Sequence, residues 1–308
     1  MTTFKRAICA FLTVGALALG SAAPAAAQPK LEVVASFSVL ADLAHEVGGD
    51  RITIRALVGP DSDAHAYQPT PVDARDLNRA QLLLVNGLGL EGWIERLVQA
   101  SGFKGLRVVA STGIKPLTMA PEAGDKANAA SRIADPHAWQ STANVMIYVD
   151  NIARGLSQAD PDGAAYYAAR ANAYKKQLAE LDAWVKSEIA MVPSNQRRVI
   201  TTHDAFQYFA SAYGVSFIAA EGISTESDPS AQHIAALIAQ VRHEHVRALF
   251  IENMSDPRLI QQIARDGGAV LGGELYSDAL SAAGGPADSY LKMFRNNVIQ
   301  LKAGMLKN

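Results

Sequence analysis

"DPDGAAYYAARANAYKKQLAELDAWVKSEIAMVP", residues 160–193, reads as one long helix. Asp160 stands at an N-cap position and Pro161 at the first helical position, where a missing N–H costs nothing. Tyr167, Tyr174, Leu178, Leu181 and Val185 recur at spacings of three, four and seven, which lays one apolar stripe along the segment. Pro193 ends it. A helix of about 30 residues is about 45 Å long, more than one small domain needs. The pattern therefore predicts a mid-chain linking helix over 159–192 that joins two bodies, residues 28–158 and 193–308.

Outward from that helix, short β-branched runs alternate with helical patterns. "KLEVVASF", "RITIRALV", "QLLLVN" and "GLRVVA" precede it; "RRVITT", "VSFIAA", "RALFIE" and "AVLGGEL" follow it. Each reads as a buried strand that leads through a loop to a helix, as "KLEVVASF" leads to "SVLADLAHEVGG" with its closing glycine pair. The fold class is α/β: two lobes, each with a parallel four-stranded sheet flanked by helices, joined by one long rigid helix. The stretch 117–135, "LTMAPEAGDKANAASRIAD", is rich in Ala, Gly and Asp without apolar periodicity, and is expected to be a mobile loop.

The chain opens on a secretory pattern. Lys5 and Arg6 are followed by an apolar run to about Leu19 and by "APAAAQ", so a signal peptide over 1–27 with cleavage after Ala27 is expected. Cys9, the one cysteine, lies inside it rather than at the cleavage site, which argues against a lipid anchor. A mature chain without thiols forms no disulfide and no thiolate metal site. About 280 residues supply a core large enough to do without them. Without Lys5 and Arg6, 26 basic residues face 30 acidic ones, and no basic stripe is present, so nucleic acid is excluded as a partner. The product is expected to be soluble, monomeric and periplasmic.

In parallel sheets, ligands collect outside the carboxyl ends of the strands. Four loops of that kind carry candidate metal ligands. His65 lies in "GPDSDAHAYQPTP" after a strand, and His137 in "ADPHAW" before a helical stretch near Ser141. His203 lies in "VITTHDAF" and Asp278 in "GGELYSDALS", each after a strand. Two precede the long helix and two follow it, which would put a site in the interlobe cleft. Three imidazoles and a carboxylate complete a four-coordinate set and favour zinc and its neighbours over magnesium or calcium. Taken singly, each has an ordinary explanation: a solvated surface histidine at His65, a turn histidine at His137 packed near Trp139, a helix cap at His203-Asp204, a loop aspartate at Asp278. His45, His233, His243 and His245 fall in helical patterns and are not read as ligands; His243 and His245, two apart and so on different helix faces, read as solvated.

The chain resembles the zinc- and manganese-binding solute-binding proteins of bacterial ATP-driven importers, the group called cluster A-I or cluster 9, over essentially the whole mature sequence. The resemblance rests on the segment 35–97 with its histidine loop and "NGLGLEGW", then on "DPHAW", "TTHDAFQYFASAYGV", "GISTESDPSA" and "YSDAL" in order. It implies two α/β lobes bridged by a long helix, with one metal ion per chain held by His65, His137, His203 and Asp278. At the position of His203 the family's manganese importers usually carry glutamate and its zinc members histidine, so the implied cargo is Zn2+, with Mn2+ as the alternative. The implied partners are an inner-membrane ABC permease and, further, a periplasmic zinc chaperone. Ala64 and Gln68 depart from the family's proline and glutamate, which would loosen the His65 loop. The histidine-rich loop of many zinc members is missing, so a second zinc-collecting site is not expected.

Capture is expected to weaken below pH ~6 as imidazoles protonate. Release is expected through motion of the loops near 117–135 and 224–230 rather than through opening of whole lobes. The competing reading is a zinc hydrolase with Asp278 as general base. No H-E-x-x-H motif supports it, and the chain is expected not to be an enzyme.

Overall fold

The computed structural model describes residues 29–119, 133–226, 229–244 and 246–308. The expected signal peptide with Cys9, most of the irregular stretch 117–135, and His245 lie outside the described residues. In chain order, β1 (Leu31–Phe37) is followed by α1 (Ser38–Gly48), β2 (Ile52–Val58), α2 (Pro71–Arg79), β3 (Leu82–Val85), α3 (Ile94–Ser101) and β4 (Leu106–Val109). β5 (Thr118–Met119) and β6 (Ile133–Ala134) pair as a short antiparallel ribbon. α4 (Thr142–Ala159) and α5 (Ala164–Ala190) lead to the second lobe. That lobe is built from β7 (Arg198–Thr201), α6 (Gln207–Tyr213), β8 (Ser216–Ala219), α7 (Ala231–Glu244), β9 (Ala248–Glu252), α8 (Pro257–Gly267), β10 (Val270–Leu275) and α9 (Tyr290–Met305).

Each lobe holds a four-stranded parallel sheet, ordered β2-β1-β3-β4 in the first and β10-β9-β7-β8 in the second. Read from its other edge, the second sheet repeats the order of the first. The central strands are covered on both faces, which explains their near-continuous apolar runs: "LLLV" of β3 is buried throughout, and in β1 Glu32 alone is exposed. In both sheets the order reverses between the lobe's first and third strands, β1/β3 and β7/β9, and loops at that carboxyl edge carry the candidate site.

The long helix differs from the expectation at its start. Residues Pro161–Gly163 form a 3-10 turn, and the α-helix proper covers the 27 residues Ala164–Ala190. Asp160 causes the tighter turn: its backbone carbonyl accepts the Gly163 N–H at 3.1 Å, and its carboxylate accepts the same N–H at 3.2 Å. That carboxylate also takes two nitrogens of Arg51 and the Tyr167 hydroxyl, which ties the helix start to the turn before β2. The predicted stripe, Tyr167 to Val185, is buried as a unit, and Ala171 and Ile189 join it. It packs on α4, α1 and α9, so α5 touches helices of both lobes. One apolar core runs from Phe37, Leu84 and Trp139 across to Phe206, Phe250 and Phe294. A second, smaller one around Leu237, Leu249 and Ile260 lies under α7 and α8.

Candidate metal centre

His65 sits in the loop from β2 to α2. Asp61 turns the chain there with a left-handed φ of 50°, a conformation to which Asp is well suited. Thr70 and Asp73 form a capping box with Pro71 at the first helical position, which fixes where the loop ends. Although Ala64 and Gln68 replace the family's proline and glutamate, the loop is pinned rather than loose. Asp63 Oδ1 accepts the His65 N–H at 2.8 Å, Trp93 Nε1 donates to Ala64 O at 2.9 Å, and Tyr67 Oη donates to Asp73 at 2.8 Å.

His137 enters by a route the sequence does not suggest: it follows the β5–β6 ribbon rather than a strand of the sheet. Asp135 Oδ1 accepts the His137 N–H at 2.9 Å, the same i to i+2 turn that Asp63 makes with His65. Asn86 Nδ2 donates to Pro136 O and Tyr208 Oη to Asp135 O, both at 2.9 Å, so the "DPH" backbone is held on both sides. His203 lies just past β7, with its N–H on Glu252 Oε1 at 2.9 Å. Asp204 caps no helix; it accepts from Gln207 instead. Asp278 lies in the loop between β10 and α9.

The structure brings all four candidates together. One ligand atom from each of His65, His137, His203 and Asp278 falls within 4.8 Å of the others. His65 Nε2 is 3.1 Å from His137 Nε2 and 3.1 Å from Asp278 Oδ2. His203 Nε2 is 3.2 Å from Asp278 Oδ2, and His137 Nε2 is 3.7 Å from Asp278 Oδ1. A tetrahedron built with bonds of about 2.05 Å has edges of about 3.3 Å, so these separations bracket the geometry of a four-coordinate ion. His65 is 6 % exposed and the other three are fully buried. The His137 ring also lies edge-on to Trp139 at 5.3 Å, so the packing explanation and the convergent one hold together.

On His137 and His203 the ring nitrogens that face away meet carboxylates. His137 Nδ1 is 2.8 Å from Asp135 Oδ1. His203 Nδ1 is 2.7 Å from Glu252 Oε2, an ion-pair distance with poor alignment for a hydrogen bond. A proton kept on Nδ1 leaves the Nε2 lone pair free to bind a cation. With protons as the only counter-ions, burial pulls the His137 pKa down, but Asp278 and Asp135 outweigh it and hold it up at about 9. Burial likewise opposes the charged form of His203, and Glu252 and Asp278 raise its pKa well above the usual imidazole value. Burial would push the Asp278 pKa up, whereas His203 and His137 hold it well below the ordinary carboxylate range.

Glu252, which meets both the N–H and the ring of His203, was not among the residues expected from the sequence. Its signal was a charge closing the apolar strand "RALFIE" at the carboxyl edge of the sheet. Asp135, two residues before His137, was likewise not among the residues expected from the sequence. Of the remaining histidines, His45, His233 and His243 are exposed. Among the described residues, no helix is long and apolar enough to cross a membrane.

Two α/β lobes bridged by a long helix, with a buried cluster of nitrogen and oxygen donors that could hold a metal ion, define the architecture of a metal-binding receptor. The chain belongs to the family described as zinc-uptake complex component A, periplasmic (ZnuA), whose model matches residues 33–304. It is 31% identical over 275 residues to the manganese-binding lipoprotein MntA of Halalkalibacterium halodurans, covering 89% of this chain and 88% of that one. It is also 31% identical to the iron-binding protein YfeA of Yersinia pestis, covering 98% and 96%. Among solved structures, the periplasmic zinc binding protein TroA from Treponema pallidum aligns with a TM-score of 0.81 at 28% identity, over 90% of this chain and 99% of that one. The Mn-bound periplasmic metal binding protein from Candidatus Liberibacter asiaticus aligns with a TM-score of 0.77, also at 28% identity, over 90% and 100%. The chain is thus a metal-binding component of an ABC importer, a carrier of cargo and not an enzyme.

Proposed function

We propose that this chain is a periplasmic zinc receptor that captures one Zn2+ with His65, His137, His203 and Asp278 and delivers it to an inner-membrane ABC permease. The observation that carries the reading is the cluster itself: three buried imidazoles and a buried carboxylate with one ligand atom each within 4.8 Å of the others, four of the contacts at 3.1–3.7 Å. Replacing one imidazole by a carboxylate would give the harder donor set that suits manganese, so His203 is the residue that favours zinc. The lobes on either side, 28–158 and 193–308, would each supply two ligands, with 159–192 as the link. The signal peptide over 1–27 would deliver the protein to the periplasm in soluble form, where a zinc chaperone could load it.

The test is the metal content of protein purified after exposure to equal zinc and manganese. One equivalent of zinc is expected in the parent, and a shift toward manganese in His203→Glu. Manganese in the parent would favour the reading suggested by relatives named for that ion. An unchanged zinc preference in the variant would remove His203 as the basis for the choice.

A further inference from the structure

Asp278 follows β10, the edge strand of the second sheet, yet its loop is fastened to the first lobe. Ser277 O accepts from Trp139 Nε1 and from Gln140 Nε2, both at 2.8 Å. Leu280 N donates to Ser38 Oγ at 3.0 Å, and Leu280 O accepts from Asp61 N at 2.9 Å. Ala282 N reaches Asp61 Oδ2 at 3.3 Å. Farther along, Tyr290 donates its N–H to Asp42 at 2.8 Å and its hydroxyl to Trp139 O at 2.8 Å. Ser38 and Asp42 lie on α1, Asp61 lies in the His65 loop, and Trp139 and Gln140 come two and three residues after His137.

The second lobe's own firm hold ends one residue before this segment. Asn297 of α9 satisfies both the N–H and the C=O of Tyr276, at 2.9 and 2.7 Å. Beyond it, Asn253 reaches Ala279 O at a long 3.4 Å. His203 is anchored in the opposite way. It lies at the end of the central strand β7, its N–H and ring face Glu252 of β9, and Thr201 Oγ1 donates to its carbonyl. On the β7–β9 side of the second lobe, two side-chain bonds reach the His65 loop: Thr225 Oγ1 to Asp63 Oδ2 at 2.5 Å, and Asn253 Nδ2 to Asp61 Oδ1 at 2.8 Å.

We infer that Ser38, Asp61, Trp139 and Gln140 are positioning residues that make Asp278 part of the first lobe's half of the site, and that a divalent cation leaves by parting from His203 while His65, His137 and Asp278 stay together as one platform. This rests on the ligand set proposed above. If Asp278 moved with β10, the buried indole N–H of Trp139, the Gln140 amide and the Ser277 carbonyl would lose their partners where water does not reach. Withdrawing His203 with its sheet breaks no backbone bond of that residue to the other lobe.

Crystal structures of the zinc-loaded and chelator-stripped protein test the inference. The loaded form is expected to show zinc on all four residues. The stripped form is expected to keep Asp278 beside His65 and His137 with His203 withdrawn. Departure of Asp278 together with His203, or no parting at all, overturns the inference; zinc held by other residues in the loaded crystal overturns the ligand set first, which separates the two failures. Cobalt(II) substitution provides the second measurement, since its visible bands report coordination rather than folding. Ser38→Ala and Gln140→Leu are expected to weaken those bands and to lower metal affinity about 10–100-fold, with recovery in Ser38→Thr. The remote core variant Leu178→Ala should leave the bands as they are. Unaltered bands in both clamp variants overturn the positioning role.

Discussion

Raising the pH from 7 to 9 should tighten zinc binding steeply, and the site sets the size of the effect. His137, flanked by Asp278 and Asp135, keeps its proton up to a pKa of about 9. At pH 7 zinc must displace that proton against about two pH units, which costs about 2.7 kcal/mol or roughly a hundredfold in apparent affinity. His203 is raised for the same reason by Glu252 and Asp278 and contributes a second displaced proton. Apparent affinity should therefore rise at least about tenfold per pH unit between pH 7 and 9, and more steeply where both protons exchange. An unperturbed imidazole would confine the loss to below pH ~6; the buried carboxylates move it into the neutral range. Competition against a chelator of known protonation at pH 7, 8 and 9 measures the slope. Calorimetry in two buffers of different ionisation enthalpy counts the protons, and about two per zinc are expected at neutral pH. A flat affinity across that range, or binding without proton release, would refute the electrostatic reasoning.

The same shift has a consequence for stability. A folded-state pKa raised from 6.5 to about 9 stabilises the fold fully below the unfolded value and is lost as pH rises through the folded one, a loss of about 3 kcal/mol for His137. The Tm of chelator-stripped protein should thus fall by on the order of 5 °C between pH 6.5 and 9.5, while zinc-loaded protein, with that proton already displaced, should not follow; a rise in the stripped form contradicts the assignment. Glu252→Gln removes the largest attraction on His203 and should weaken zinc binding about 10–100-fold at pH 9, with a smaller difference near pH 7 because the proton competitor weakens too. Leu178→Ala, at the fully buried centre of the α5 stripe, should cost about 2–5 kcal/mol of stability in a denaturant titration, with zinc stoichiometry unchanged.

The fold was legible because its period is imposed by burial. Strands covered on both faces must be apolar throughout, and α5 must present one stripe to the helices of both lobes, so β3 and the series from Tyr167 to Val185 announce themselves. The four convergent residues were legible for a different reason: none is telling alone, but three imidazoles and a carboxylate in four separate loops, two on each side of the long helix, make up a metal-ligand set. What stayed hidden is what depends on distance across the fold. Glu252 meets His203 from 49 residues away, and Ser277 meets Trp139 and Gln140 from 138 and 137 residues away. No period links such pairs. The local Asp63–His65 and Asp135–His137 turns share the pattern Asp-x-His, which a closer reading of spacing could have found.

Burial of this much charge needs a physical reason. Asp135, Glu252 and Asp278 are carboxyl groups with no exposure, and three imidazoles lie between them with at most 6 %. Charges removed from water are costly unless each is paired, and breaking one such pair strands its partner. Two imidazolium groups offset two negative charges among these carboxylates, and so does one divalent cation. Exchanging about two protons for one Zn2+ would leave the buried charge nearly constant, so the lobes need not part widely to rehydrate the site at every turnover. A site balanced in this way is sensitive to any substitution that changes charge without changing shape. Asp135→Asn, isosteric but neutral, should therefore lower the number of protons released on zinc binding while leaving the stripped protein folded, and an unchanged proton count would show that the balance is struck elsewhere.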